Sequence, residues 1–289
     1  MAQYIINGKV GSDVEFFVAK PDGTVVSAEG FIPGTKENPK PFGSSGYATQ
    51  LDNVLAEGNI PPAMSYDRFA AYIKTLRGHM DKNILKAHGL KTLAIPSFKM
   101  ADEFLQTENA KKFGCDESLN AWTLETEVVT PDVVPNLRTA GFHVHIGYDN
   151  PSKEVNVALA RLMDVVLGLQ TVLKEPASDR SKLGYGRSGS FRHQPHGMEY
   201  RTLSSWWADK PSRVAYVGYA ALQCASALNL ASAIDILKQV TAIGKDVQQI
   251  INTRDKKQAT ALLAEHKMVI ERITPASVSF KNFAAMDIE

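Results

Sequence analysis

The sequence predicts an α+β protein, and three observations support that class. Apolar and polar residues alternate with a period of two in several short runs between Gln3 and Trp207, which is typical of half-buried strands. Apolar residues recur at helical spacing after Ser65 and again after Pro151. Beyond Pro211 the chain reads as helical. We therefore expect one domain over residues 1–289, with a helical C-terminal region of about residues 211–289.

The segment TAGFHVHIGY carries the strongest functional signal. His143 and His145 stand two residues apart, so in a strand both imidazoles lie on one face. Phe142, Val144 and Ile146 would then fill the opposite face, against the core. Two neutral imidazoles on one rigid face suit a metal ion or a polyanion.

Three other predicted strands place polar residues on one face at the same period. They are the acidic pair Asp13 and Glu15, the set Asn53, Leu55 and Glu57 in a single strand over 50–59, and the pair Glu199 and Arg201. LETEVV repeats the pattern with Glu125 and Glu127, for which exposure to solvent is the expected outcome. If the strands with functional residues are neighbours, their polar faces form a bowl of carboxylates, imidazoles and guanidinium.

The remaining elements follow from local signals. Ser65 is expected to cap a helix that runs to about His88 and ends at Gly89, and a largely apolar core helix is expected to end near Lys174. LKTLAIPSF is predicted as one strand, ADEFLQTENAKKFG as a short helix ending at Gly114, and CDESLNAW as a loop.

Composition excludes few partners. Lys and Arg number 32 against 31 Asp and Glu, so the formal net charge is +1, which lacks the basic excess typical of nucleic-acid binders. No membrane partner is expected, because no apolar run reaches the ~20 residues of a span. Cys115 and Cys224 form no disulfide framework, and the N-terminus lacks the features of a signal peptide, so a cytoplasmic location is expected.

The combined residue types indicate phosphoryl transfer. Carboxylate oxygens hold hard divalent ions such as Mg²⁺, with imidazole tolerated by Mn²⁺. DRSKLGYGRSGSFRHQPHG supplies guanidinium groups and glycine amides that can approach phosphate oxygens. Two alternatives remain open: a zinc hydrolase that uses His143 and His145, with His193 or His196 as a further ligand, and a non-catalytic binding protein.

Six segments in order resemble the phage phiEco32-like carboxylate–amine ligases, relatives of glutamate–cysteine ligase and glutamine synthetase. They are VGSDVEFFV, DNVLAEGNIPPA, FGCDESLNAW, LRTAGFHVHIGY, KLGYGRSGSFR and GMEYRTLSSWW. The resemblance implies a curved antiparallel sheet whose concave face holds ATP and two or three Mg²⁺ ions, with helices on the outer face. It also implies that ATP phosphorylates a carboxylate and that an amine then displaces phosphate to form an amide.

The resemblance assigns roles to individual residues. The expected metal ligands are Asp13, Glu15, Glu57, His143 and Glu199. The expected nucleotide contacts are Lys182, Arg187, Arg192 and His145, and the expected catalytic groups are Arg192, Arg201 and Glu57. Where relatives often have a carboxylate, this chain has Leu51, which leaves Asp52 or Asn53 to act as a ligand.

The expected partners are small-molecule or peptide carboxylates and amines. No nucleic acid is indicated, and a homo-oligomer is left open. A phage-encoded enzyme of this kind would act in the host cytoplasm.

Overall fold

The computed structural model describes residues 4–112, 117–127 and 134–275. In these residues eleven strands, numbered along the chain, form one sheet in which every pairing is antiparallel. Across the sheet the order is β3 (Lys40–Pro41), β4 (Ala48–Asp52), β5 (Leu55–Asn59), β1 (Lys9–Ala19), β11 (Phe142–Gly147), β13 (Gly197–Tyr200), β12 (Ser190–Gln194), β8 (Ser118–Asn120) and β9 (Thr126–Glu127). β2 (Val25–Val26) and β6 (Lys91–Leu93) also pair with β1, whereas β7 (Ser97–Lys99) and β10 (Leu137–Thr139) form a separate two-stranded sheet.

Helices come mostly from the C-terminal half of the described chain. The α-helices are α1 (Tyr66–His79), α2 (Glu108–Lys111), α3 (Lys153–Met163), α4 (Leu169–Lys174), α5 (Pro211–Ala227), α6 (Ala233–Ala242), α7 (Gly244–Thr253), α8 (Lys256–Glu265) and α9 (Lys267–Ile273). A π-helical turn and a 3-10 turn extend α1 to His88, and Gly89 follows in a left-handed conformation. Ser65 caps α1 as predicted, because its side chain accepts a hydrogen bond from the Arg68 amide.

Helices cover the apolar face of the sheet, which confirms the predicted α+β class with helices packed on an antiparallel sheet. The Phe69 ring of α1 stacks on Phe142 of β11, with ring centroids 6.0 Å apart. Gly58 of β5 lets α1 approach closely, since an added Cβ there would lie 2.5 Å from a Leu76 methyl carbon. One hydrophobic cluster contains residues from the sheet and from α5 to α9, which supports the proposal of a single domain.

The single strand predicted over 50–59 is wrong, because the segment is a hairpin. β4 and β5 pair directly, and Asn53 between them adopts a left-handed conformation with φ 47°. Asparagine tolerates this conformation better than most residues, and the side-chain oxygen of Asn53 accepts from the Val54 amide at 2.6 Å. The Asp-Asn pair was the turn signal that the apolar alternation obscured.

Three other predicted elements also differ. LKTLAIPSF forms two strands, β6 and β7, which flank Pro96, and part of the predicted loop CDESLNAW is strand β8. The predicted helix over ADEFLQTENAKKFG consists of a 3-10 turn (Asp102–Leu105) and the short α2. Gly114, where that helix was expected to end, and Cys115 lie outside the described residues.

The apolar helix before residue 175 is a core helix, as predicted. Lys153–Lys174 is long and apolar enough to cross a membrane by length and composition alone, but 78% of its most apolar window is buried inside the fold. Asp164 in its centre is fully buried. A charged residue in that position needs hydrogen-bond partners.

Asp164 ties the core helix to the sheet. Its carboxylate accepts hydrogen bonds from Trp122 Nε1 at 2.7 Å, Ser188 Oγ at 2.5 Å and Tyr200 OH at 2.6 Å. Tyr200 ends β13 and lies next to Glu199. The carboxylate therefore helps to hold the strand that carries Glu199 and precedes Arg201.

We expect Asp164→Ala to lower the free energy of unfolding by about 3–5 kcal/mol, because the truncation leaves buried donors without an acceptor. Asp164→Asn retains an acceptor oxygen and should lose less. Chemical denaturation of the three proteins measures both changes. Equal stability of wild type and Asp164→Ala would show that the hydrogen bonds to Asp164 do not stabilise the fold.

The pH dependence of stability gives a second test of Asp164. Burial raises the pKa of this carboxyl above its ordinary value of 3.8, although its three hydrogen bonds oppose the shift. The folded state therefore retains a proton that the unfolded state releases, so this group's contribution to stability falls as pH rises from 3.8 to the raised pKa. We expect the difference in unfolding free energy between wild type and Asp164→Asn to change with pH over that interval, by up to about 1.4 kcal/mol per pH unit.

Candidate active site

The long central strand β1 places Asp13 and Glu15 between two neighbours. Asp13 lies opposite His143 of β11, and Glu15 lies opposite Glu57 of β5. On the far side of β11, His145 lies opposite Glu199. Antiparallel pairing thus brings side chains from distant segments onto one face of the sheet, as the sequence predicted.

Asp13 contacts both imidazoles. Its carboxylate lies 2.7 Å from Nε2 of His145 and 3.4 Å from Nδ1 of His143. Burial of Asp13 favours its neutral form, but the two histidines outweigh burial and hold the pKa of this carboxyl well below its usual range. For His145, the charge of Asp13 outweighs burial and raises the pKa. Each of the two side chains therefore favours the charged form of the other.

Gly141 makes room for this arrangement. An added Cβ at Gly141 would lie 2.6 Å from Nε2 of His143, so a larger residue would displace the imidazole. The Gly141 amide also donates to Oε2 of Glu15 at 2.6 Å. Gly141 thus helps to position His143 of the histidine pair and Glu15 of the acidic pair.

Glu199 is the most heavily partnered carboxylate of the site. Only 1% of its side chain is exposed, and its oxygens contact the Arg201 guanidinium, NH1 of Arg192 at 3.6 Å and Nε2 of Gln194 at 2.5 Å. Burial would raise the pKa of Glu199, but the Arg201 charge and both histidines outweigh it, so the pKa is lowered. Glu199 therefore stays ionised among cations.

Glu57 has the opposite environment. It is buried, and no hydrogen-bond donor among the described residues reaches its Oε2 atom. Burial and the negative charges of Asp13, Asp52 and Glu15 raise its pKa well above the ordinary value. An orphaned carboxylate oxygen surrounded by like charges is the environment that a bound cation would satisfy.

The residue types fit a divalent metal ion. One donor atom from each of Asp13, His145 and Glu199 lies within 4.8 Å of the other two. This set contains His145, to which the sequence gave a nucleotide or substrate contact. Nδ1 of His143 lies 3.7 Å from Glu199, so both imidazoles face the same carboxylates. The division of roles between the two histidines stays a prediction.

Leu51 lies on the face of β4 that points away from the site. In β4, residues 50 and 52 share one face and residue 51 lies on the other. Leu51 packs against the main hydrophobic cluster, whereas Gln50 lies opposite Glu57 and Asp52 is buried next to Glu15. Of the two residues that the sequence left to act as a ligand, Asp52 lies in the cleft with Glu15 and His143, and its role as a ligand stays a prediction.

The basic segment divides between two places. Arg192 reaches Glu199, whereas Arg187 lines a pocket of about 170 Å³ together with Arg180 and Arg254. Lys182 is 53% exposed, and its Nζ lies 2.9 Å from Asp179. The nucleotide contacts assigned to Lys182, Arg187 and Arg192 stay predictions.

Three cationic residues near the site received no individual role from the sequence, although Arg180 belongs to the basic segment DRSKLGYGRSGSFRHQPHG. Arg254 lies in the helical region, and Arg180 lines both the basic pocket and a smaller cleft that contains Glu15 and His143. Lys36 lies in the long Gly/Pro-rich loop and contacts Asp52 at 2.9 Å. The unusual length of that loop was the available signal for Lys36.

A larger cavity of about 510 Å³ opens beside the carboxylate centre. His145 forms part of its wall, with Lys9, Asn59, Asp149 and His196. Nδ1 of His145 lies 3.2 Å from Nε2 of His196. His145 thus stands between the cavity and Asp13.

The comparison with known families found a similarity to ligases acting on carboxylates and amines. Residues 134–274 match the family model described as phage phiEco32-like COOH.NH2 ligase-type 2. This stretch contains His143, His145, Arg192, Glu199 and Arg201. The resemblance recognised in the sequence is therefore confirmed.

The fold is similar to that of a chain in a solved structure described as "GmaS/ADP complex-Conformation 1", with 14% sequence identity and a TM-score of 0.42. The alignment covers 96% of this chain and 68% of that one. No curated protein matches the sequence.

Proposed function

We propose that this chain is an ATP-dependent carboxylate–amine ligase that forms an amide through an acyl phosphate and releases ADP. The observation that carries the proposal is the polar face of the sheet, where carboxylates of β1, β5 and β13 meet the imidazoles of β11 and the guanidinium groups of Arg192 and Arg201. The family match supports the same reaction class.

The residues that would hold Mg²⁺ or Mn²⁺ are Asp13, Glu57, Glu199 and one or both histidines, with Glu15 at the adjacent position. When bound there, such an ion would supply positive charge that offsets the negative charge of the nucleotide phosphates. The protein contributes a rigid, largely buried set of donors, because each lies on a strand paired on both sides.

In the first chemical step, a carboxylate oxygen of the substrate attacks the γ-phosphorus and ADP leaves. Arg192 and Arg201 offset the negative charge that moves onto the leaving oxygen and the acyl phosphate. Glu199 fixes their orientation, since it contacts both guanidinium groups. In the second step, the amine nitrogen attacks the acyl carbon, phosphate leaves and the nitrogen loses a proton.

The cavity beside His145 is the candidate entry for one reactant, and the basic pocket of Arg187 is a candidate phosphate contact. The proposed substrates are small-molecule or peptide carboxylates and amines. A homo-oligomer and a location in the host cytoplasm are parts of the same proposal.

The donor set favours this function over a zinc hydrolase. A hydrolase would use His143 and His145 with a third ligand such as His196. His196 instead contacts His145 directly, and the surrounding carboxylates are the donors that Mg²⁺ and Mn²⁺ prefer.

The test is to incubate the protein with ATP, Mg²⁺ and pools of carboxylates and amines, and to identify products by mass spectrometry. We expect a condensed product whose formation parallels ADP release and stops when EDTA is added. AMP with pyrophosphate would indicate an adenylating enzyme. Tightly bound zinc with no effect of nucleotide on thermal stability would favour the hydrolase.

A further inference from the structure

Lys36 reaches into one end of the candidate site from the loop between β2 and β3. Its Nζ lies 2.9 Å from Oδ1 of Asp52, and the charges of Glu57 and Glu15 also act on it. The Lys36 side chain is 40% exposed, whereas the Asp52 side chain is only 8% exposed. A partly exposed ammonium group thus contacts a buried group of carboxylates.

We call Glu15, Asp52 and Glu57 the acidic end of the site. Each is more than nine-tenths buried, and neighbouring buried carboxylates repel one another strongly. Among the described residues, the Lys36 ammonium contacts Asp52 at 2.9 Å and the Gly141 amide donates to Oε2 of Glu15, whereas Oε2 of Glu57 has no donor. The single positive charge of Lys36 therefore does not offset the negative charge of three buried carboxylates.

The orphaned oxygen of Glu57 gives an independent indication of a missing cation. Its Oε2 atom is buried without a donor among the described residues, although Gln50 and Glu15 flank it. At the other end, Glu199 already has the Arg201 guanidinium, and Asp13 has two imidazoles. The need for an added positive charge is thus greatest where Lys36 reaches the site.

We propose that the Lys36 ammonium is the built-in cation of the acidic end and occupies the place of a divalent ion. One metal ion then binds at Asp13, His145 and Glu199 while Lys36 stays on Asp52. A further ion binds Glu15, Asp52 and Glu57 only when Lys36 withdraws, because an ammonium and a divalent ion cannot share Asp52 at close range. Lys36 thereby sets the number of bound metals.

The position of Lys36 allows it to withdraw. It lies outside the strands, in the loop before β3, and its partly exposed stem can carry the ammonium into solvent. Asp52 is fixed by β4 and by the turn at Asn53. The movement therefore requires a change in the lysine side chain rather than in the sheet.

This inference rests on the proposed function only in requiring that the site binds divalent ions. It is tested by equilibrium dialysis of the full chain against Mn²⁺ without nucleotide or substrate, so no turnover is needed. We expect Lys36→Met to bind one more Mn²⁺ per chain than wild type. Lys36→Arg keeps the charge and should match wild type, as should Lys40→Met, which removes an exposed lysine from β3.

Thermal unfolding supplies a second readout. In EDTA, Lys36→Met should unfold at a lower temperature than wild type, and saturating Mn²⁺ should raise its midpoint by more than it raises that of wild type. The inference is overturned if Lys36→Met, folded by circular dichroism, binds as many Mn²⁺ ions as wild type or fewer. The two proposals can fail separately. If Lys36→Met binds the extra Mn²⁺ but the wild-type protein forms no amide from any pool, the role of Lys36 is supported and the proposed function is overturned.

Discussion

Glu199→Gln is expected to abolish metal-dependent ADP release and to destabilise the protein. The variant removes a donor of the candidate metal site and the negative charge that faces Arg201, Arg192 and His143. Loss of activity should be at least 100-fold, since even residues outside the first coordination shell of a metal contribute about 10–100-fold. Loss of one partner from a buried ion pair costs about 3 kcal/mol or more.

ADP release with Mg²⁺ and chemical denaturation in EDTA measure the two effects separately. Glu175→Gln is the matched control, because Glu175 is also buried and faces a guanidinium, that of Arg254, but is not among the candidate metal ligands. It should lose stability and retain Mn²⁺ binding. Turnover at the wild-type rate in Glu199→Gln would refute the assignment of this residue.

Glu57→Gln is expected to be equally inactive but more stable than wild type without metal. The wild-type carboxylate is buried, has no donor at Oε2 among the described residues and is repelled by Asp13, Asp52 and Glu15. An amide removes the charge and supplies a donor to the neighbouring carboxylates. A gain of about 1–3 kcal/mol in unfolding free energy is the expected scale for relief of one unsatisfied buried polar atom.

The order of stabilities should reverse with metal once Lys36 is replaced. In the Lys36→Met background, where no ammonium holds the acidic end, Mn²⁺ should stabilise the single variant by more than the Lys36→Met/Glu57→Gln double variant, because the double variant lacks a carboxylate ligand. Denaturation with and without Mn²⁺ gives the four values that this comparison needs. A Glu57→Gln protein that is less stable than wild type in EDTA would show that Glu57 has a structural partner, and would remove the argument for a cation next to it.

The sequence by itself determined which faces of the strands carry chemistry. Strand geometry alternates side chains with a period of two, so the shared face of His143 and His145, and that of Asp13 and Glu15, follow from spacing alone. The same reasoning placed Phe142, Val144 and Ile146 in the core, where all three are fully buried. The face on which a side chain lies depends only on its position within its own strand, so the sequence pattern predicts it well.

Pattern reasoning failed where two local signals competed. Over residues 50–59 the apolar alternation suggested one strand, but the Asp-Asn pair turns the chain into a hairpin. That turn places Gln50 opposite Glu57 and brings Asp52 to the site. Leu51, the apparent defect in the ligand set, belongs to the opposite face.

Only the tertiary structure decided which faces meet and which charges balance there. Strand order put β1 between β5 and β11, so residues more than 100 positions apart, such as Asp13 and Glu199, came to share one site. Lys36, in a loop without periodicity, acquired its partner Asp52 because that loop folds back on β4, where the Leu51 amide donates to the Gly34 carbonyl. Spacing specifies the direction of a side chain within its own strand, whereas the partner of a charge depends on burial and on contacts that the local sequence does not encode.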